Sequence, residues 1–268
     1  MILTALVDNR TVSFAFFEKG QEKATPLSTF CLSTSQKRTS DEYAVLLEMM
    51  AARGHYQSVS TAIIASVVPP LGDVLCHTVR LLYPTALVLT VGAGLRSGLT
   101  LRTEAPADLG ADLVAMAVGA ATLQKPPFLV LHCGDVTTLS AVDAGKDAPA
   151  YLGCAILPGA ALGARALKDE TALLSTVALS RPPRAIGKNT GDSVRAGLLL
   201  GHAAAIERLI ADFEAEMGQK DLPVIATGEE AELLLPLLSR AVIKEEALAH
   251  KGLYHLALLN AKKGKKAP

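Results

Sequence analysis

The sequence has no excess of either charge. Lys+Arg and Asp+Glu stand at 26 each, so no net field recruits a polyanion, which argues against nonspecific binding to nucleic acid or to an anionic membrane surface. It has no Cys-x-x-Cys pair. Cys31, Cys76, Cys133 and Cys154 lie far apart, none at metal-ligand spacing with a histidine, so they read as free thiols in a reducing compartment and suggest no metal site. No apolar run approaches the roughly 20 residues of a spanning helix. The start, MILTALVDNR, lacks a basic segment, and Asp8 interrupts its apolar part too soon for a secretory signal. The expected location is the cytoplasm.

Against these absences stand 268 residues, 50% of them hydrophobic and 19% charged, enough to fill one large core or two ordinary ones. The C-terminal AKKGKKAP is the one basic cluster, and its small, Gly- and Pro-containing composition reads as a solvated tail.

The stretch FLVLHCGDVTTLSAV, from Phe128, is an apolar run broken at Gly134-Asp135 and followed by a second alternating run, the pattern of a hairpin. Such a turn is also suited to phosphate: glycine lets backbone approach a ligand, and the hydroxyls of Thr137 and Thr138 can donate to phosphate oxygens. Both readings stand at this point. Tyr151–Gly159 then reads as a third strand ending in Pro-Gly, and GAALGARALKDETALLS as a helix. The chain start repeats the order: Ile2–Val7 and Thr11–Phe17 form a hairpin, Ala24–Leu32 a third strand, and Ser40–Arg53 a helix with Tyr43, Leu46, Leu47 and Met50 on its buried side. β/α units follow in each half. Thr61–Val68 reads as a buried parallel strand stopped by Pro69-Pro70, Leu71–Tyr83 as a helix, Ala86–Val91 as a strand. Pro106 opens an Ala-rich helix running through Thr122. A long helix runs from Thr190 to about Glu216, Pro223–Gly228 is a strand, and helices cover Glu229–Leu238 and the end of the chain. The recurring order suggests a duplication with a ligand cleft between the halves.

Six short segments carry a resemblance: Ile64-Ala65-Ser66-Val67-Val68-Pro69 with Leu71; Val91-Gly92 through Gly98-Leu99; Pro106 with Leu109-Gly110-Ala111-Asp112; Gly153–Gly159; Ile186-Gly187-Lys188-Asn189-Thr190; and Ala226-Thr227-Gly228. In order and spacing the chain resembles the type III pantothenate kinases over nearly its whole length. The resemblance implies an α/β fold, the duplicated ribonuclease-H-like fold of the actin and acetate-kinase superfamily, with halves 1–108 and 109–260 and a basic tail 261–268. It also implies ATP-dependent phosphorylation of pantothenate to 4'-phosphopantothenate, the first step of coenzyme A biosynthesis, with Mg2+ and a monovalent cation (K+ or NH4+). The implied assembly is a homodimer, with the Asp112–Thr122 helix and the Thr190 helix as candidate surface and burial of these helices within the monomer as the alternative.

By the same resemblance Asp112 is the general base that takes the proton of the pantothenate hydroxyl. Read alone it is as well a solvated acid at a helix start. Gly110 and Ala111 would admit the substrate close to the backbone beside Leu113, and Thr190 would touch it, although Thr190 also suits a helix N-cap. Leu6, Val7, Asp8, Asn9, Arg10 and Thr11, together with Gly134, Asp135, Thr137 and Thr138, are the candidates around the phosphates of ATP.

The chain also departs from the family pattern. Where the family has Asp-x-Gly-Asn-Thr in the first hairpin, ungapped alignment places Leu6, Asp8, Asn9 and Arg10 at the aspartate, glycine, asparagine and threonine. Leu113 replaces an arginine after the catalytic acid, and Thr103 a tyrosine. In the second hairpin His132 stands for the cation-binding aspartate and Asp135 for a threonine. A carboxylate there should repel ATP unless a cation accompanies it. These changes leave a second reading: a catalytically silent homologue that binds or regulates.

Overall fold

The computed structural model describes residues 1–21, 23–56 and 58–261. The expected 261–268 tail therefore lies outside the described residues except for Ala261. By compactness the chain divides into unit 1, Met1–Leu123 with Ala247–Pro268, and unit 2, Gln124–Glu246.

Unit 1 opens with β1 (Ile2–Val7), β2 (Thr11–Phe17) and β3 (Ser28–Ser33), followed by α1 (Ser40–Arg53), β4 (Thr61–Ser66), α2 (Pro69–Leu82) and β5 (Leu87–Thr90). The sheet order is β3-β2-β1-β4-β5. β1 is antiparallel to β2 and parallel to β4, pairing Thr4 with Ala15 on one side and with Ile63 on the other. Alternation sorts the side chains. Leu3, Ala5 and Val7 point with Phe14, Phe16 and Ile64 into the core that Tyr43, Leu47, Leu71, Leu75 and Val79 of α1 and α2 complete. α1 ends where the sequence places its ends. Its N-cap is Thr39, whose hydroxyl accepts from the Glu42 amide while the Glu42 carboxylate accepts from the Thr39 amide. The expected buried face shifts slightly: Tyr43, Leu47 and Ala51 are buried, Leu46 and Met50 only half so.

After the short strand β6 (Thr100–Leu101), the single helix expected from Pro106 is two pieces. Pro106–Asp108 is one tight turn, Leu109 is extended (φ −65, ψ 127), and α3 begins only at Ala111, running to Leu123.

Unit 2 contains β7 (Phe128–Cys133), β8 (Val136–Asp143) and β9 (Ala150–Pro158), then α4 (Ala160–Glu170), α5 (Thr190–Arg195), α6 (Gly201–Glu216), β10 (Val224–Thr227), α7 (Ala231–Leu234) and β11 (Ile243–Lys244). Its strands run β11-β10-β7-β8-β9. The β7–β8 hairpin pairs Cys133 with Thr137 across Gly134-Asp135, as the sequence implies. Leu129, Leu131, Cys133 and Leu139 form the core with Ala160, Leu199, Ile206, Ile210 and Val224. Two helices are shorter than expected. α4 stops at Glu170 because Thr171 turns extended and sends its hydroxyl to the Leu167 carbonyl. The helix after Gly228 becomes a 3-10 turn at Leu235–Leu237, where Pro236 has no amide to donate. The long Thr190 helix contains a π-turn at Ala196–Leu200.

The last helix, α8 (Leu248–Ala261), packs in unit 1 against α3. Both α3 and α8 thus belong to unit 1 by contact, whereas the sequence division at residue 108 placed them with the second half. The reason is glycine. A Cβ on Gly252 would land on the Ala115 carbonyl oxygen, and one on Gly119 on the Leu248 carbonyl oxygen, so these two backbones touch where any side chain would hold them apart. Leu113 through Ala120 are buried within the chain, so α3 does not offer the exposed face proposed as half of a dimer surface.

His250 of α8 is buried and bridges β1 and β2, with Nδ1 2.8 Å from Thr4 Oγ1 and Nε2 2.9 Å from Ser13 Oγ. Burial pushes its pKa down to about 4. The unfolded chain takes up a proton near pH 6.5 that the fold refuses, so stability present at neutral pH is lost as pH falls from 6.5 toward 4. The loss reaches about 3 kcal/mol. Urea titrations at pH 7.5 and 4.5 are expected to show this drop in wild type and a flatter dependence in His250→Gln. Parallel slopes in the two proteins would assign the acid lability to other groups.

Candidate active site

The residues singled out in the sequence fall into two groups, one in each unit. In unit 1, Gly110 and Asp112 sit at the break that precedes α3. The Asp112 carboxylate is half-buried in the first turn and folds back over Gly110, where a Cβ would stand 2.5 Å from Oδ1. The glycine makes room for the carboxylate. Leu113 is buried and flanks the same backbone, 3.6 Å from that hypothetical Cβ. Ala111 lines a cavity of about 260 Å3 whose other walls come from Gly92, Gly94, Leu95, Leu101 and Leu109. Two glycines, several alkyl side chains and Ser97 line it, a mostly apolar lining with a few polar groups that suits a small molecule. Two residues beyond Leu101, the Thr103 hydroxyl is buried without a hydrogen-bond partner, an orphan that costs stability unless a ligand satisfies it.

The β1–β2 turn is less fully equipped than expected. Its Asp8 amide donates to the Thr11 carbonyl at 2.8 Å, and Thr34 Oγ1 donates to the Asp8 carbonyl. Asn9 and Arg10 are exposed, Leu6, Asp8 and Thr11 half-buried. Val7 is fully buried in the sheet core, so its side chain cannot serve a cofactor.

In unit 2 the Gly134-Asp135 turn is the centre of a compact arrangement. Gly159, just before α4, donates its amide to the Asp135 carbonyl at 2.8 Å, and a Cβ there would strike the Gly134 carbonyl oxygen. A Cβ at Gly134 would lie 2.8 Å from His132 Cε1 and 3.6 Å from Glu229 Oε2, so imidazole and carboxylate close over the turn. The Glu230 amide donates to the Cys133 carbonyl at 2.9 Å. Its carboxylate, only 5% exposed, accepts from the Ala160 and Ala161 amides at 2.8 Å each. Those are the first amides of α4, so an internal acid caps this helix. Burial raises the Glu230 pKa, the two amides oppose that, and Glu229 and Asp135 add to it. Cys133 is inert: burial, then the Glu230 charge, push its thiol up to about 12.

Four candidate residues sit otherwise than the sequence suggests. Asp135 does not stand as a bare negative charge, because Arg165 Nη2 of α4 lies 3.0 Å from its Oδ1. Thr137 is buried, and its hydroxyl meets His202 Nε2 at 2.9 Å, so it is already partnered within the protein. Thr138 is buried as well. Thr190 is exposed, and the helix N-cap is its neighbour Asn189, whose side chain accepts from the Asp192 amide. Arg165, Glu230 and His202 were not anticipated. The signal for Arg165 lay in its place on the helix that opens at Pro158-Gly159, and that for Glu230 in its place just after Thr227-Gly228.

Beside the turn lies a cavity of about 390 Å3 with Ala161, Ala164, Val177, Leu179 and Leu233 as apolar walls, Arg165 and Lys168 as cations, and Thr176 and the Glu230 carboxylate, itself held by the α4 amides, completing the lining. A flat apolar group and an anionic chain fit this combination. Magnesium fits too, since it is held by one or two carboxylates together with phosphate oxygens, and Asp135 and Glu229 are present; among the described residues no cluster of three or more His, Cys, Asp or Glu could hold an ion unaided. At the same turn the His132 imidazole lies over Gly134, and Asp135 is paired with Arg165.

The family model for type III pantothenate kinase matches residues 3–212. The chain belongs to the type III pantothenate kinase family. It is 36% identical over 241 residues to type III pantothenate kinase 2 of Symbiobacterium thermophilum, covering 87% of each chain. To the type III pantothenate kinase of Thermus thermophilus it is 33% identical over 260 residues, 96% of this chain and 99% of the relative. Among solved structures, a Sinorhizobium meliloti protein described as a 2-dehydro-3-deoxygalactonokinase shares the fold with a TM-score of 0.57 at 12% identity, covering 97% of this chain and 99% of that one. The fold is thus the duplicated ribonuclease-H-like α/β fold, and membership of the pantothenate kinase family makes this a kinase fold with a small-molecule substrate. No helix among the described residues is long and apolar enough to cross a membrane.

Proposed function

We propose that the protein transfers the γ-phosphoryl group of ATP to pantothenate, giving 4'-phosphopantothenate. The observation that carries this is the Gly110–Asp112 corner, where a half-buried carboxylate in the first turn of α3 is flanked in sequence by Ala111 and Val114, which line the 260 Å3 cavity. Pantothenate occupies that cavity, with backbone from Gly92 and Gly94 at its polar groups and Leu95, Leu101 and Leu109 against its methyl groups. Asp112 accepts the hydroxyl proton as the oxygen attacks. In unit 2 the Gly134-Asp135 turn holds the phosphates, Arg165 and Lys168 supply counter-charge, and the 390 Å3 cavity takes the base. Magnesium, held through Asp135 or Glu229, shields the transferring group's charge when bound. Cytoplasmic coenzyme A biosynthesis is the corresponding role, and a homodimer the corresponding assembly.

A specific observation favours a second reading. Leu6 and His132 stand where carboxylates are expected, and Thr137 is engaged by His202, which together describe a protein that binds pantothenate and no longer turns it over. Incubation with Mg-ATP and pantothenate, followed by mass spectrometry of the products, separates the two. The kinase reading expects a pantothenate-dependent gain of one phosphate and stoichiometric ADP. Saturable pantothenate binding without any phosphorylated product, at millimolar ATP, would establish the silent homologue instead.

A further inference from the structure

The Asp135 turn concentrates negative charge. Glu229 approaches Gly134, and Glu230 lies on the α4 amides behind it. A nucleotide brings further negative charge to the same place, so the turn needs a fixed counter-charge before phosphates can settle there. The chain contains one. Arg165 reaches Asp135 from the second turn of α4 at 3.0 Å, with side-chain exposures of 42% for the arginine and 20% for the aspartate. A guanidinium presents five donors in a rigid fork, and this contact uses Nη2 alone. Arg165 also borders the 390 Å3 cavity, with Lys168 on the same wall. Its charge is permanent, and its planar fork suits phosphate oxygens better than a lysine would.

We propose that Arg165 bridges the Asp135 carboxylate and the phosphate chain of a bound nucleoside triphosphate, serving as a built-in cation, so that nucleotide binding and turnover require no dissolved monovalent cation. The inference rests on the nucleotide-site reading of unit 2 given above. Removing the guanidinium deletes a counter-charge beside Asp135 and a phosphate donor at once, so the nucleotide loses affinity while the acceptor does not.

The experiment measures Mg-ADP binding by calorimetry and phosphoryl transfer to pantothenate at constant ionic strength, in tetramethylammonium chloride with and without KCl. The proteins are wild type, Arg165→Gln, Arg165→Lys and the double variant Arg165→Gln with Asp135→Thr. Wild type is expected to bind and turn over equally in both salts, within about twofold. Arg165→Gln should raise the Kd for ADP and the KM for ATP by about 10- to 100-fold, the range for a lost charge-assisted bond, with KM for pantothenate unchanged. Arg165→Lys should recover part of the affinity, and the double variant part of it by removing the carboxylate's negative charge. A stimulation of wild type by KCl of tenfold or more overturns the proposal, as does an Arg165→Gln protein with wild-type affinity for ADP. ADP binding without turnover contradicts the kinase reading alone and leaves this proposal to be decided by the affinities. Absence of ADP binding in either salt overturns both.

Discussion

Asp112→Asn is expected to lower kcat for pantothenate phosphorylation by about 10²- to 10⁴-fold, the contribution of a positioned general base, while KM for pantothenate changes little. Asparagine keeps the shape that folds over Gly110 but cannot accept the hydroxyl proton. The substitution also removes a negative charge from the first turn of α3, where the helix dipole favours it by about 0.3–1 kcal/mol, so the stability cost is small and a folded, inactive protein is the expected product. Steady-state kinetics with urea denaturation on the same preparation checks both parts. Full activity in Asp112→Asn would remove this residue from the chemistry. An unfolded variant would be answered by Asp112→Glu, which keeps the charge and is expected to retain part of the activity.

The second large effect is structural. Gly252→Val should destabilise unit 1 by about 3 kcal/mol or more, beyond the usual cost of overpacking, because the obstruction is backbone that cannot rotate away. A Cβ at residue 252 meets the Ala115 carbonyl oxygen, in the middle of the helix whose first turn carries Asp112. α3 would be pushed off α8, and the Asp112 carboxylate and the adjacent slot would move with it. A lowered urea midpoint, with loss of pantothenate binding before global unfolding, is the expected pattern. A Gly252→Val protein with wild-type midpoint and affinity would show that the α3–α8 contact does not position the acid. Gly197, whose Cβ would meet nothing within 4 Å, provides the control through Gly197→Ala.

Much of the framework is readable from periodicity alone. Ile2–Val7 and Thr11–Phe17 alternate because one face of their sheet meets α1 and α2, and the start of α1 is legible in the polar Ser40-Asp41-Glu42 run, although the cap itself is Thr39. The Phe128–Pro158 strands and the Gly134-Asp135 turn are equally local signals. What escaped is what local pattern does not encode. The Pro106 segment reads as one helix because Leu109 and Gly110 fit a helical period, yet Leu109 is extended and the acid sits at the start of a separate helix. Gly119 and Gly252 look like weak helix residues until their helices, far apart in sequence, are seen in contact.

The site was legible in part for the same reason. Asp112 and the glycine-bearing turn are short motifs and could be found by resemblance. The charge of Asp135 could be read as repulsive only while its partner was unknown, since Arg165 lies 30 residues on. Thr137 was assigned to phosphate because nothing in the sequence announces that the helix after the π-turn delivers His202 to its hydroxyl. Glu230 shows the converse: an acid after a Thr-Gly turn looks solvated, and in the fold it is buried on the first amides of α4.

The most direct measurement is a crystal structure of the protein with pantothenate and a nonhydrolysable ATP analogue. The account predicts the primary hydroxyl of pantothenate within hydrogen-bond distance of an Asp112 carboxylate oxygen, its chain in the slot walled by Gly92, Leu101 and Leu109, and the phosphates against Gly134 and Arg165. Pantothenate bound elsewhere, or with its hydroxyl out of reach of Asp112, would contradict it.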